Sequence, residues 1–192
     1  MTTLAGMTET DEHGIPYEPP MAGDEAATLI GSLERQRRTF AWKCGGLDHD
    51  GLRATVGVST MTIGGLLKHL ALVEEDWFGM KLEGRPPVEP WRSVDWEAEA
   101  DWEWTSAADD SPEALMALWQ DSVVRARAAL AAALAQRGLD GRASFSWPDG
   151  SSPSLRRMLV DVIEEYARHT GHADLIRESV DGLVGEDPPR PS

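Results

Sequence analysis

Glu165-Tyr166-Ala167-Arg168-His169-Thr170-Gly171-His172-Ala173-Asp174 is the stretch on which the reading of this chain turns. Steps of three and four residues through it connect Leu155, Met158, Val162, Glu165, His169, His172 and Ile176. That is the core-facing seam of an amphipathic helix. Its middle three positions, where Leu or Val would be expected, hold a carboxylate and two imidazoles. A polar group on a buried seam costs about 2–7 kcal/mol unless it is hydrogen-bonded, and an unpaired charge costs more. The seam therefore predicts a partner for these side chains, either one another or a metal ion.

Outward from this helix, three more of comparable length follow from caps and periodicity. Asp24 is the expected cap of a first helix that carries Leu29, Ile30, Leu33, Phe40 and Trp42 and stops at Gly45-Gly46. A connector with Leu47 and Leu52 leads to a second helix, capped by Ser59 or Thr60, that ends near Glu83 before Gly84 and Pro86-Pro87. Its apolar line is Ile63, Leu66, Leu70, Val73, Trp77 and Met80. Ser111-Pro112-Glu113 opens a third helix, rich in alanine, that runs to Arg137-Gly138. The fourth is expected to open at Ser152-Pro153 and to end at Asp181-Gly182. No segment of similar length alternates with period two, although residues 143–147 could form a short extended piece. The expectation is an all-α chain, a four-helix bundle with long connecting loops, in which sites are built from facing helices. By domain, residues 1–22 read as a flexible arm, 23–183 as the bundle and 184–192 as a tail.

Composition limits the function classes. A chain of 192 residues suffices for one domain with a substantial core. The net charge of −15 argues against a nucleic-acid partner, which needs a basic footprint. No apolar run approaches the ~20 residues of a membrane span. The first basic residue is Arg35, so a secretory leader with a basic start is not expected. A single cysteine, Cys44, excludes an internal disulfide framework and suits a reducing compartment, hence a cytoplasmic location. The loop at residues 84–110 is acidic and carries Trp91, Trp96, Trp102 and Trp104. Disordered segments are poor in aromatics, so it reads as a strap packing its indoles on the bundle, or as a wall of a substrate pocket.

His69 lies one position beside the apolar line of the second helix and should face inward or half inward. Glu165 and His169 are four apart, stacked on one helical face, a spacing that lets two side chains grip one ion. His169 and His172, three apart, could do the same. Three ligands from two helices, with other positions left to water or substrate, is the composition of a catalytic metal site. The competing reading is a buried Glu–His hydrogen-bond network that fixes helix register. Asp76 and Asp161 are candidate acceptors for the imidazole N–H groups. His13 and His49 fall in loops without a partner pattern.

The strings Thr62-Ile63-Gly64-Gly65-Leu66-Leu67-Lys68-His69-Leu70-Ala71-Leu72-Val73-Glu74 and Glu164 through Glu178, with Trp77-Phe78, Gly84 and Ser154-Leu155-Arg156, resemble the DinB/YfiT-like superfamily. The similarity covers about residues 24–183 and is greatest to the actinobacterial branch. The resemblance implies a four-helix bundle holding a divalent metal through a histidine of the second helix, matched by His69. The other two ligands it implies lie four apart on the last helix, and these positions fall on Glu165 and His169. His172 then ranks as a pocket residue, alternative ligand or proton shuttle. Relatives of this type use low-molecular-weight thiols such as mycothiol as cosubstrates. The residues that would meet such a thiol stay open, with Arg168 and Trp77 as candidates and Arg53, Arg156 and Arg157 as further basic groups.

The preferred expectation is a metal-dependent transferase that moves a mycothiol-type thiol onto a small electrophilic substrate. A bound metal lowers the pKa of a thiol or water, giving a nucleophile at neutral pH. The chain offers no thiol for this, because Cys44 falls near a helix C-terminus, where the dipole disfavours a thiolate. The alternatives are a metal-dependent hydrolase, with Glu165 or His172 moving the proton, and a non-catalytic metal- or ligand-binding bundle. Zn²⁺ is the first expectation for the metal, with Ni²⁺, Fe²⁺ and Mn²⁺ also suited to two imidazoles and one carboxylate. A homodimer is left open as a partner arrangement.

Overall fold

A computed structural model describes residue 10 and residues 14–189; His13 and much of the expected arm lie outside them. Six α-helices follow in order: α1 Glu25–Cys44, α2 His49–Arg53, α3 Ile63–Glu74, α4 Trp102–Thr105, α5 Pro112–Arg137 and α6 Leu155–Asp181. The long ones form the bundle, with α1 against α6 and α3 against both α5 and α6. The all-α reading therefore holds. The described residues contain no strand. Residues 143–147 stay irregular beside one isolated bridge between Arg142 and Ser154, and the N–H groups of Ser144 and Phe145 donate to the carbonyls of Leu82 and Lys81. No helix is long and apolar enough to cross a membrane, among the described residues.

The caps agree with the sequence at α1 and α5, where Asp24 and Ser111 accept from the backbone N–H three residues on. Two others move. The second long helix is capped by Thr62, whose hydroxyl accepts from Gly65 N, while Ser59 closes a turn onto Met61 N. The last helix is capped by Ser154, and Ser152-Pro153 precede it in the bridged segment. In both places several hydroxyls compete, and the backbone path picks the one that meets the helix. The connector also holds a turn of helix, α2, capped by Asp48, which puts His49 on an exposed helical turn away from the other histidines.

Beyond Glu74 the second long helix continues as π-helical turns over Glu75–Leu82. The wider turn shifts the register of the buried face. Phe78 and Leu82 fill the core, and Trp77 and Met80, expected on the apolar line, move to its edge. The first residue of these turns is Glu75, whose buried carboxylate reaches Arg125 at 3.3 Å and Arg85 at 3.6 Å. Gly79 makes room for it, since a Cβ there would stand 2.7 Å from Glu75 Oε1.

A buried polar network ties the bundle together. Arg37 binds Glu74 through two hydrogen bonds of 2.8 and 2.6 Å and Glu34 through one of 2.7 Å. Tyr166 donates to Glu74 at 2.7 Å and accepts from Trp119 Nε1 at 2.8 Å. Helices α1, α3, α5 and α6 each supply a member, so the register of the seam helix is set by Tyr166, next to Glu165.

Candidate metal centre

The site is built where α3 faces α6 beneath the tryptophan strap. Gly64 and Gly65 allow the close approach this needs. A Cβ on Gly65 would lie 3.0 Å from the Trp104 ring, and one on Gly64 3.3 Å from Leu115 Cδ1. Trp104 can therefore lie flat on α3, where it stacks on His69 with 4.5 Å between ring centroids and 24° between planes. Lys68 pins the far end of the strap, donating to Ser106 at 2.8 Å and to Asp110 at 2.6 Å, with Trp102 4.1 Å beneath its ammonium.

From α6, Glu165 and His169 meet His69. Glu165 Oε2 is 3.2 Å from His169 Nε2 and 4.0 Å from His69 Nε2. One donor atom from each of the three residues lies within 4.8 Å of the others, in a cluster that could hold a metal ion. Leu155, Met158, Val162 and Ile176 of the seam are buried as expected. Glu165 is one-third exposed and His169 only 8% exposed at their side chains, so the cluster has a closed side and an open one.

The remaining imidazole nitrogens are also engaged. His69 Nδ1 lies 3.4 Å from Glu103 Oε1, and His169 Nδ1 lies 3.3 Å from His172 Nδ1. With both Nδ1 atoms turned to partners, both Nε2 atoms face Glu165, the orientation of imidazoles that share an ion. Burial, reinforced by His69, His172 and Arg168, pushes His169 down from 6.5 to about 4. Its ring is therefore neutral at pH 7, the state that binds metal. The donor set fits a divalent cation on these grounds.

Neither expected carboxylate is found on an imidazole. Asp76 is bound by Lys81, and Asp161 pairs with Arg157 at 2.7 Å. The acceptor is instead Glu103, buried in the strap, whose second oxygen, Oε2, has no hydrogen-bond partner. A glutamate between two tryptophans in an acidic loop was the available signal, but nothing in its spacing ties it to a histidine 34 residues earlier in the chain. Cys44 is buried, and its thiol is raised well above the usual range by desolvation. It plays no part here.

Two cavities open on the cluster from different sides. A polar one of about 620 Å³ is bordered by Glu165, Arg168 and Trp77, with Arg142, Arg157 and a run of serines, Ser151, Ser152 and Ser154. The other, of about 470 Å³, is bordered by His69, with Leu72, Val73, Met80, Trp91 and Trp96 among its walls. The strap thus both packs and lines: Trp91 is buried, and Trp96 stands at a cavity edge. Arg156 is committed to Glu25 and Asp140, and Arg53 stands exposed on α2.

Fold and site define a class, the all-helical bundles in which a histidine of the second long helix faces a Glu–His pair of the last. Within that class the family model for mycothiol-S-transferase matches residues 28–182, and the chain belongs to this family. Comparison with curated proteins gives no match.

Proposed function

We propose that the protein is a metal-dependent S-transferase that couples a mycothiol-type thiol to a small electrophile. The observation that carries this reading is the convergence of His69 Nε2, His169 Nε2 and Glu165 Oε2 at the edge of an arginine- and serine-lined cavity. Membership of the mycothiol-S-transferase family supports the thiol. The three residues would hold the cation, with Zn²⁺ the first candidate. Once bound, it supplies the Lewis acidity that turns a thiol into a nucleophile at neutral pH.

The chain's own groups do the rest. Glu103 accepts the Nδ1 proton of His69 and so fixes the tautomer that presents Nε2. Were His169 to hold a cation through Nε2, its Nδ1 would carry the proton and donate to His172 Nδ1. His172 Nδ1 then accepts, which makes His172 a positioning partner of His169, while its Nε2 is left to move a proton. Arg168, 4.0 Å from Glu165 Oε1, with Arg157 and Trp77, borders the cavity that suits the polar body of the thiol. In the transfer, sulfur bonds to the electrophilic carbon as its leaving group departs. The thiol proton ends on that group or in water.

The test is elemental analysis of untagged protein, followed by mycothiol consumption with a panel of electrophiles. The expected result is about one metal per chain and thiol consumption that His69→Ala abolishes together with the metal. A metal-free preparation that takes up no ion, or an unchanged metal content in His69→Ala, would sink the proposal.

A further inference from the structure

We propose that the cavity beside His69 is the electrophile's own subsite and that it selects neutral, flat aromatic molecules. This deepens the transferase reading and rests on it for the word electrophile. The cavity itself is argued from its walls alone.

The two cavities share no lining residue, yet they meet at the site: Glu165 borders one and His69 the other, and Glu165 Oε2 lies 4.0 Å from His69 Nε2. A sulfur delivered from the polar side therefore meets, across that gap, a carbon held on the other. The chemistry of the walls divides the two substrates. On the Glu165 side stand three arginines, three serines and three carboxylates, Asp161, Glu164 and Glu165, a charge-balanced polar wall suited to hydroxyls and amides. On the His69 side stand Leu72, Val73, Met80 and the indoles of Trp91 and Trp96. Its only carboxylate, Asp76, is already neutralised by Lys81. No arginine or lysine lines this cavity, so an anion there would lose water without gaining a cationic partner. Anions are further opposed by the net charge of −15.

The shape argument comes from the strap. Trp102 braces Trp91 edge-on at 5.9 Å and Trp96 at 6.5 Å, so both indoles are held by a third ring. Fixed aromatic walls favour rings that meet them offset-stacked or edge-to-face. A volume of about 470 Å³ falls in the range of small-molecule sites and admits one or two fused rings. The balanced reaction is RSH + R′X → RSR′ + HX, where R′ is the aromatic or arylmethyl group seated in this cavity.

The experiment uses metal-free, thiol-free protein and two fluorescent probes of nearly the same shape. N-phenyl-1-naphthylamine is neutral, and 1-anilinonaphthalene-8-sulfonate is its anionic counterpart. The neutral probe should bind saturably at one per chain, at least tenfold tighter than the anion. Leu72→Arg, at a half-buried position, and Trp96→Ala, at an exposed one, should each weaken it at least fivefold while metal uptake stays unchanged. Equal binding of the two probes, or neutral-probe binding unaltered in both variants, would overturn the assignment. If the neutral probe binds as described but mycothiol is consumed with no electrophile, the transferase reading falls and the cavity's selectivity stands. If mycothiol is transferred while the probe neither binds nor raises the KM for the electrophile, the cavity assignment falls and the transferase reading stands.

Discussion

Single side chains around His69 and His169 do different work from the proposed ligands they touch. Glu103 and His172 each take one imidazole Nδ1, at 3.4 and 3.3 Å. Partners of this kind orient a ligand rather than bind the ion, and their loss costs about 10- to 100-fold in metal affinity. Glu103→Gln and His172→Ala should each fall in that range by chelator competition, whereas His69→Ala should lose binding altogether. An equal loss in His172→Ala and His69→Ala would make His172 a ligand. Gly171, between the two histidines of α6, offers a contrast. It is exposed, and a Cβ there would meet nothing within 4 Å. Gly171→Ala should therefore raise stability by ~0.5–1 kcal/mol in denaturant unfolding, without altering metal content.

At the scale of elements, the long helices are joined by charge as well as by apolar packing. Glu74 of α3 is fully buried and takes both Arg37 of α1 and Tyr166 of α6. Removing one member of a buried pair leaves the other desolvated and unpaired, at a cost of about 3–5 kcal/mol. Glu74→Ala should lose that much in equilibrium unfolding and should also loosen metal binding, because Tyr166 precedes the seam's three-four step to His169. The π-helical turns Glu75–Leu82 act on the site in another way. By rotating Trp77 and Met80 out of the core they give each cavity one wall residue, Trp77 to the polar one and Met80 to the apolar one. A regular 3.6-residue helix would have buried both, as its apolar line predicts.

For the molecule as a whole, pH acts through the centre. His169 has a folded pKa of about 4 against 6.5 when unfolded, so the fold prefers its neutral form. The sign follows from linkage: this stability is full above about 6.5 and is lost as pH falls through about 4. Metal-free protein should lose up to about 3 kcal/mol over that window, an upper bound from the 1.36 kcal/mol per pKa unit. His169→Gln should lose less between pH 7 and 4 when both are unfolded in denaturant. Parallel pH curves for the two proteins would contradict this assignment. The same acidification should release a bound metal, because protons compete for the imidazoles.

The four long helices and their order, and the facing of Glu165, His169 and His69, were legible in the residues, whereas the short α2 and α4 were not. Caps and 3.6-residue periodicity are local signals, and a carboxylate and imidazoles on an apolar seam stand out against it. Cap choice was less legible, since Ser59, Thr60 and Thr62, or Ser152 and Ser154, are equivalent until the backbone path is known. The partners of the imidazoles were not legible at all. Glu103 reaches His69 in a strap whose Trp104 lies on α3 where Gly65 has no side chain, and Asp76 and Asp161 are taken by basic neighbours about one turn away. Sequence alone thus determined which residues form the helices and which side chains the seam must satisfy, because both follow from local periodicity. Tertiary structure alone decided what satisfies them and how two unlike cavities come to share one site, because those depend on segments distant in the chain.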